Sequence, residues 1–214
     1  MSNNTDRPTI THSRTFNEYP VFFSDKGLYE SALITMATVF EQAMEEFEAA
    51  LAMRIDLYLP KGCRDTDLTI INDYFALLNE KLEADSLFYV WRKREDKVPS
   101  LNYRVMLFVD YSQYFGPAIC WDKRSELVSH LRDTWQEAVE MHYNGKARSI
   151  VFLNDRGNYG LGTRCRSKDT NIKRFVFHRM SILAEAWKEV RYSFGSSLGS
   201  VSYTHLRAHE TTDN

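Results

Sequence analysis

The sequence predicts an α+β fold whose central core runs strand, helix, hairpin, helix, strand. Three observations carry the prediction. Two adjoining segments rich in aromatic and β-branched residues, LFYVWRKRE and LNYRVMLFVD, are joined only by DKVPS, as a hairpin requires. On either side of that hairpin lies a stretch with apolar residues at helical spacing, and outside each helix lies a further short strand-like run. At 214 residues, with 43% hydrophobic and 14% aromatic residues, the chain is long enough to bury a full core as one domain.

Residues 1–24 are polar, with Phe16, Tyr19, Phe22 and Phe23 scattered among them, and read as an arm ahead of a single domain over residues 25–200. Asp25 is a candidate N-cap for a long amphipathic helix, because Leu28, Ala32, Thr35, Met36, Val39, Phe40, Ala43, Phe47 and Leu51 recur at helical spacing. MRIDLYL, Met53 to Leu59, alternates with period two and stops at Pro60, as a strand bounded by a turn should. Leu68, Ile71, Tyr74, Phe75, Leu78 and Leu82 then mark a helix from about Asp67 to Ala84. The hairpin follows, over Leu87 to Glu95 and Leu101 to Asp110.

Leu127, Leu131, Trp135, Ala138 and Val139 form the apolar stripe of a helix between Lys123 and His142. SIVFLND, Ser149 to Asp155, is the fourth strand of the core. NYGLGTRCRSKDT reads as a loop, in which Gly157, Gly160 and Gly162 match no phosphate-loop spacing. A last helix is predicted from about Asn171 to Val190, with Phe175, Phe177, His178, Ile182, Leu183 and Trp187 among its apolar or aromatic members. A hairpin inside such an alternation is the mark of a ferredoxin-like β-α-β-β-α-β core, an antiparallel sheet with its helices on one face and extra helices at both ends. That arrangement leaves the opposite sheet face for a ligand. Modules of this geometry stack bases on sheet aromatics, and Tyr58, Phe88, Trp91, Tyr103 and Phe108 are the candidates, with core packing as the ordinary role of each.

Charge is distributed unevenly. The net charge of −2 argues against a protein that coats nucleic acid by bulk electrostatics. From Asp25 to Leu51, however, six acids face the lone Lys26, while from Lys146 to Arg191 eleven Lys/Arg stand against four acids. The second excess suits phosphate contacts. Cys63, Cys120 and Cys165 form no CxxC pair and are odd in number, which points to neither a zinc knuckle nor a disulfide framework and favours a reducing compartment. The N-terminus carries no apolar signal core, and no run approaches the roughly 18 apolar residues that cross a bilayer, so a cytoplasmic protein without a membrane partner is expected.

Residues 201–214 are set aside from the fold as an artefactual tail. VSYTHLRAHET, Val201 to Thr211, follows the flexible run FGSSLGS, shows no apolar period, and resembles the conceptual translation of a sequencing adapter. It is expected to pack against nothing. Its His205 and His209 stand at an i, i+4 metal-ligand spacing, but without the structural context that would make the spacing meaningful.

Four segments in order, MRIDLYLP, YVWRKRE, LNYRVMLFVDYSQYFG and FHRMSILAEAW followed by RYSFGSS, resemble the YagK/YfjJ C-terminal domain. The family is also called the inovirus gene-two-product family and occurs in filamentous phages, prophages and related mobile elements. The likeness covers about Glu48 to Ser197. It implies a fold like that of rolling-circle replication initiators, in which two histidines alternating along a strand hold a divalent cation and a helix tyrosine attacks the scissile phosphate. By that resemblance Asn102 and Arg104 stand in place of the histidines, Asp110 in place of an asparagine, Ile182 in place of the tyrosine and Glu185 in place of a lysine. Arginine does not ligate a cation at working pH and isoleucine cannot attack phosphorus, so the usual catalytic residues are replaced.

A fixed guanidinium can nevertheless hold a phosphate by its fork of donors. The expected nucleic-acid-binding set is Arg54, Arg92, Arg94 and Arg104 on the strands, with Arg164, Arg166, Lys173, Arg174 and Arg179 from the basic segment. The expected ligand is single-stranded or hairpin DNA, with other replication proteins of the element as further partners. A diverged nicking enzyme is the alternative, with Asp56 and Glu95 holding Mg²⁺ or Mn²⁺ and Tyr159 or Tyr192 as a relocated nucleophile. Salt bridges to Arg54, Arg92, Arg94 or Arg104 are the ordinary role of those two carboxylates. A third class is a regulatory module that docks on a partner through the acidic helix of Asp25 to Leu51, which requires an exposed apolar stripe there.

Overall fold

A computed structural model describes residues 8–82, 87–93, 103–115, 121–145, 149–162, 170–186 and 192–203. The chain opens with four two-residue strands, β1 (Ile10–Thr11), β2 (Thr15–Phe16), β3 (Tyr19–Pro20) and β4 (Leu28–Tyr29). Then come α1 (Glu30–Glu46), β5 (Ala49–Tyr58), α2 (Thr69–Lys81), β6 (Phe88–Lys93), β7 (Tyr103–Asp110), α3 (Tyr111–Phe115), α4 (Trp121–Glu140) and β8 (Ile150–Gly162). The described elements close with α5 (Thr170–Met180), a 3-10 turn (Ser181–Ala184), β9 (Tyr192–Ser196) and β10 (Gly199–Tyr203).

The fold is α+β. Its main sheet has the order β10-β9-β6-β7-β5-β8, every neighbouring pair antiparallel. β5 reads AALAMRIDLY, nearly continuous in apolar residues at its start, because both of its faces are covered there. Its odd-numbered residues Leu51, Met53, Ile55 and Leu57 pack with Trp91, Val105 and Leu107 under Tyr74 and Leu78 of α2 and Leu131 and Trp135 of α4. Ala50 and Ala52 face the other way and pack with Met106 and Phe108 under Met36 and Phe40 of α1 and Val176 and Phe177 of α5.

The second cover corrects the expectation of a sheet face left free. Met106 and Phe108 are buried on that face and need apolar partners, which the two additional helices supply. The rings meet edge to face, Phe40 at 5.8 Å from both Phe108 and Phe177, while Tyr19 of β3 stacks on Phe177 at 4.6 Å. Of the proposed stacking aromatics, Trp91, Tyr103 and Phe108 are buried in the two cores, and Phe88 packs against Phe47 at 5.6 Å.

Several boundaries also differ. α1 starts at Glu30 rather than behind Asp25, because Leu28 and Tyr29 pair with Thr11 and Ile10. Its apolar stripe, Ala32, Leu33, Met36, Ala37, Val39, Phe40 and Ala43, is buried in the core, which removes the surface that a docking helix needs. β8 continues through Asn158–Gly162, where a loop is predicted, and its Leu161 is buried opposite Ala50. α5 stops at Met180 instead of Val190. Val201 to Tyr203, expected to pack against nothing, pair with Phe194, Ser193 and Tyr192 in β10; residues 204–214, with His205 and His209, lie outside the described residues. No helix among the described residues is long and apolar enough to cross a membrane.

A candidate arginine cleft

Beyond Ala52 and Met106 the second face of the sheet turns polar, since the even positions of β5 become Arg54 and Asp56 and β7 contributes Arg104. Asp56 and Arg104 are register partners on adjacent strands. The Asp56 carboxylate accepts from Arg54 Nη2 at 3.0 Å through one oxygen and from Arg104 Nε at 3.0 Å through the other. Its side chain is only 8% exposed, against 23% for Arg54 and 19% for Arg104, so the carboxylate is the inner member and the guanidiniums face outward. Arg54 Nε is itself buried without a hydrogen-bond partner. Arg92 of β6, the register partner of Arg104, is buried beside them.

A break in strand register opens the site. Between the pairs Ile55↔Leu153 and Met53↔Asn158, four residues of β8 oppose Arg54 alone. Such a bulge bends its strand and leaves a concavity. The result is a cleft of about 150 Å³ lined by Arg54, Arg104, Met106, Gly157, Tyr159, Arg179 and Ile182.

Arg179 and Ile182 reach the cleft from α5 and the 3-10 turn, which the N-terminal arm holds in place. Ser181 Oγ accepts from the Phe22 backbone N–H at 2.7 Å and donates to the His178 carbonyl at 2.8 Å. The Ala186 N–H donates to the Gly27 carbonyl at 2.9 Å, and Ser24 Oγ donates to Glu185 Oε1 at 2.7 Å. The arm of residues 1–24 is thus partly structural, with Val21 buried in the core.

Of the positions singled out from the sequence, Arg54, Arg104, Arg179, Tyr159 and Ile182 come together at this cleft. Glu185 bonds to Ser24 instead. Lys173 and Arg174 lie on α5 but do not line the cleft. Arg94, Glu95, Asn102, Arg164 and Arg166 lie outside the described residues, as does the Tyr192 side chain. Asp110 sits at the end of β7, where its carboxylate accepts from the Ser112 N–H and hydroxyl at 2.7 Å.

The divalent cation implied by the resemblance does not fit what stands here. Three guanidiniums wall the cleft, and the carboxylate beside it is already shared between two of them. Among the described residues no group of three His, Cys, Asp or Glu side chains could hold a metal. His130 and His142 lie apart, beside Glu126 and Asp73 respectively. Burial pushes the phenols of Tyr74, Tyr89 and Tyr114 up from their ordinary range, which makes them poorer nucleophiles. Chemically the cleft suits an anion held by planar donors.

Sequence reasoning missed two side chains at the edge of the site. Phe152, the register partner of Asp56 on β8, is 54% exposed, and Phe175 of α5 is 44% exposed. Both sit in segments whose periodicity marks them as core, and exposure depends on the long-range packing of β8 and α5.

No curated protein and no solved structure matches the chain. One family model does, over residues 11–197, and it takes in the N-terminal arm and α1 as well as the segments from Glu48 onward that carry the sequence likeness. The chain therefore belongs to the YagK/YfjJ C-terminal domain family.

Proposed function

We propose that this chain is a mobile-element protein of the inovirus gene-two-product type, with a replication-initiator-like fold, that binds single-stranded or structured DNA in the arginine cleft without the usual nicking chemistry. The carrying observation is that Arg104 and Ile182, at the positions matching a cation ligand and the attacking tyrosine, line one cleft with Arg54 and Arg179. On this reading the place of the site is retained while its charge chemistry is changed from metal-assisted to guanidinium-assisted. The order β8-β5-β7-β6, with α2 and α4 as the connecting helices, supports reading these elements as a ferredoxin-like core.

Titration of single-stranded DNA against salt tests the reading. Each phosphate neutralised contributes about −0.7 to the slope of log K against log salt. Replacing Arg54, Arg104 and Arg179 by alanine together is expected to make that slope shallower by about 2 and to weaken binding at low salt. Weak binding by the unaltered protein, with no salt slope, overturns it.

Tyr159 in the same cleft favours one second reading, a diverged nickase. Incubation with supercoiled and single-stranded DNA plus Mg²⁺ or Mn²⁺ distinguishes the two. A covalent protein-DNA band lost in Tyr159→Phe supports the nickase, and no band on any substrate removes it.

A further inference from the structure

We propose that the exposed rings beside the arginine cleft form a stacking platform for unpaired bases, so that a phosphate enters the cleft while its base lies outside on Phe175. The inference rests on the DNA-binding reading above and adds which part of the strand is recognised, and by what.

Size argues for this division. A cleft of about 150 Å³ is smaller than the roughly 300–1,000 Å³ of pockets that bury a whole small molecule. It takes a charged group and leaves the rest of a nucleotide at the rim. The rim is aromatic. Phe175 presents a ring that is 44% exposed, and Tyr159, which lines the cleft, meets that ring edge-on, with centroids 5.5 Å apart at 75°. The Arg179 guanidinium carbon lies 5.3 Å from the Phe175 centroid, so one cation both faces the cleft and rests on the ring. On the far side of the β8 bulge Phe152 projects from the same sheet face as Asp56.

Trp91, Tyr103, Phe108 and Phe194 of the sheet are buried, whereas Phe152 of β8 and Phe175 of α5 are exposed beside a concentration of positive charge. Alternating rings and guanidiniums are what a single strand uses, because its bases have open π-faces and its phosphates follow at each step. A duplex offers only the phosphates, its bases being stacked on one another. The platform therefore selects single strands, and the arginines supply affinity without selection.

Comparing oligothymidylate with an abasic oligomer of the same length tests the proposal on the full chain, since the abasic strand keeps the phosphates and lacks the bases. Stacking of one base is expected to favour thymidylate on the order of 5- to 150-fold. Phe175→Leu, which keeps apolar bulk at an exposed position, should remove most of that preference and leave the salt slope unaltered, while Phe175→Trp should retain it. Equal binding of the two oligomers by the unaltered protein, or full preference in Phe175→Leu, overturns the platform and leaves the DNA-binding reading standing. Binding of neither oligomer at low salt overturns both.

Discussion

At the scale of single residues, Asp56 holds the balance of the cleft. It orients two guanidiniums through separate oxygens, and it removes one unit of positive charge from a site built to attract anions. These roles oppose each other when the residue is replaced. Asp56→Asn leaves Arg54 and Arg104 less completely paired in a partly buried setting, and we expect a loss of about 1–3 kcal/mol in urea unfolding, below the cost of breaking a fully buried pair because both arginines reach solvent. The same change should strengthen binding of single-stranded DNA at low salt and steepen the salt slope by about 0.7. A variant that is less stable and also binds more weakly would show that orientation of the arginines matters more than net charge. A salt bridge from Asp56 to Arg54 or Arg104 was legible as the ordinary role of that carboxylate, and the structure bears it out; that one carboxylate joins both arginines at once was not legible. Their meeting depends on the register of β5 with β7, which period-two alternation alone does not fix.

At the scale of elements, local pattern and distant contacts divide the explanation. α2, α4 and the β6-β7 hairpin were legible because their apolar residues repeat at 3.6 or 2 and their ends carry turn residues. The start of α1, the length of β8 and the end of α5 were not, because each is decided across the chain: by β1, by Ala49–Met53 of β5, and by Phe22 and Gly27, which bond to Ser181 and Ala186. RGNYGLG reads as a turn from its glycines, yet the bulge lets Asn158–Gly162 re-enter the ladder.

A similar contact anchors α2, whose preceding residue Leu68 is left-handed and offers no side-chain cap. Asp65 supplies it. Its carboxylate accepts from the backbone N–H groups of Ile70 at 3.2 Å and Ile71 at 3.1 Å and from the Tyr103 hydroxyl at 2.5 Å, while its carbonyl accepts from Lys93. The cap thus ties α2 to β6 and β7. Asp65→Ala removes a helix cap and one hydrogen bond from a buried hydroxyl, for an expected loss of about 1–3 kcal/mol by denaturant unfolding. Asp65→Asn, which keeps one acceptor oxygen, should cost less, and an alanine variant within 0.5 kcal/mol of the original would refute the capping role.

At the scale of the molecule, one sheet separates two hydrophobic cores, and every central strand contributes to both. Met36 belongs to the core under α1 and α5 and Leu131 to the core under α2 and α4, each fully buried. Because β5, β6 and β7 present alternate residues to the two sides, neither core can lose its packing while the sheet stays intact on the other. The arginine cleft lies at the margin of the first core, so its geometry depends on both. Met36→Ala and Leu131→Ala should each cost about 2–5 kcal/mol and shift one common unfolding transition. Sharing no direct partner, their effects should add within about 0.5 kcal/mol in the double variant. Near-UV circular dichroism and far-UV circular dichroism followed through the same urea titration give the reading. Two separated transitions, with only one moved by Met36→Ala, would mean that the two sides fold independently and that the cleft is governed by the α1 and α5 side alone.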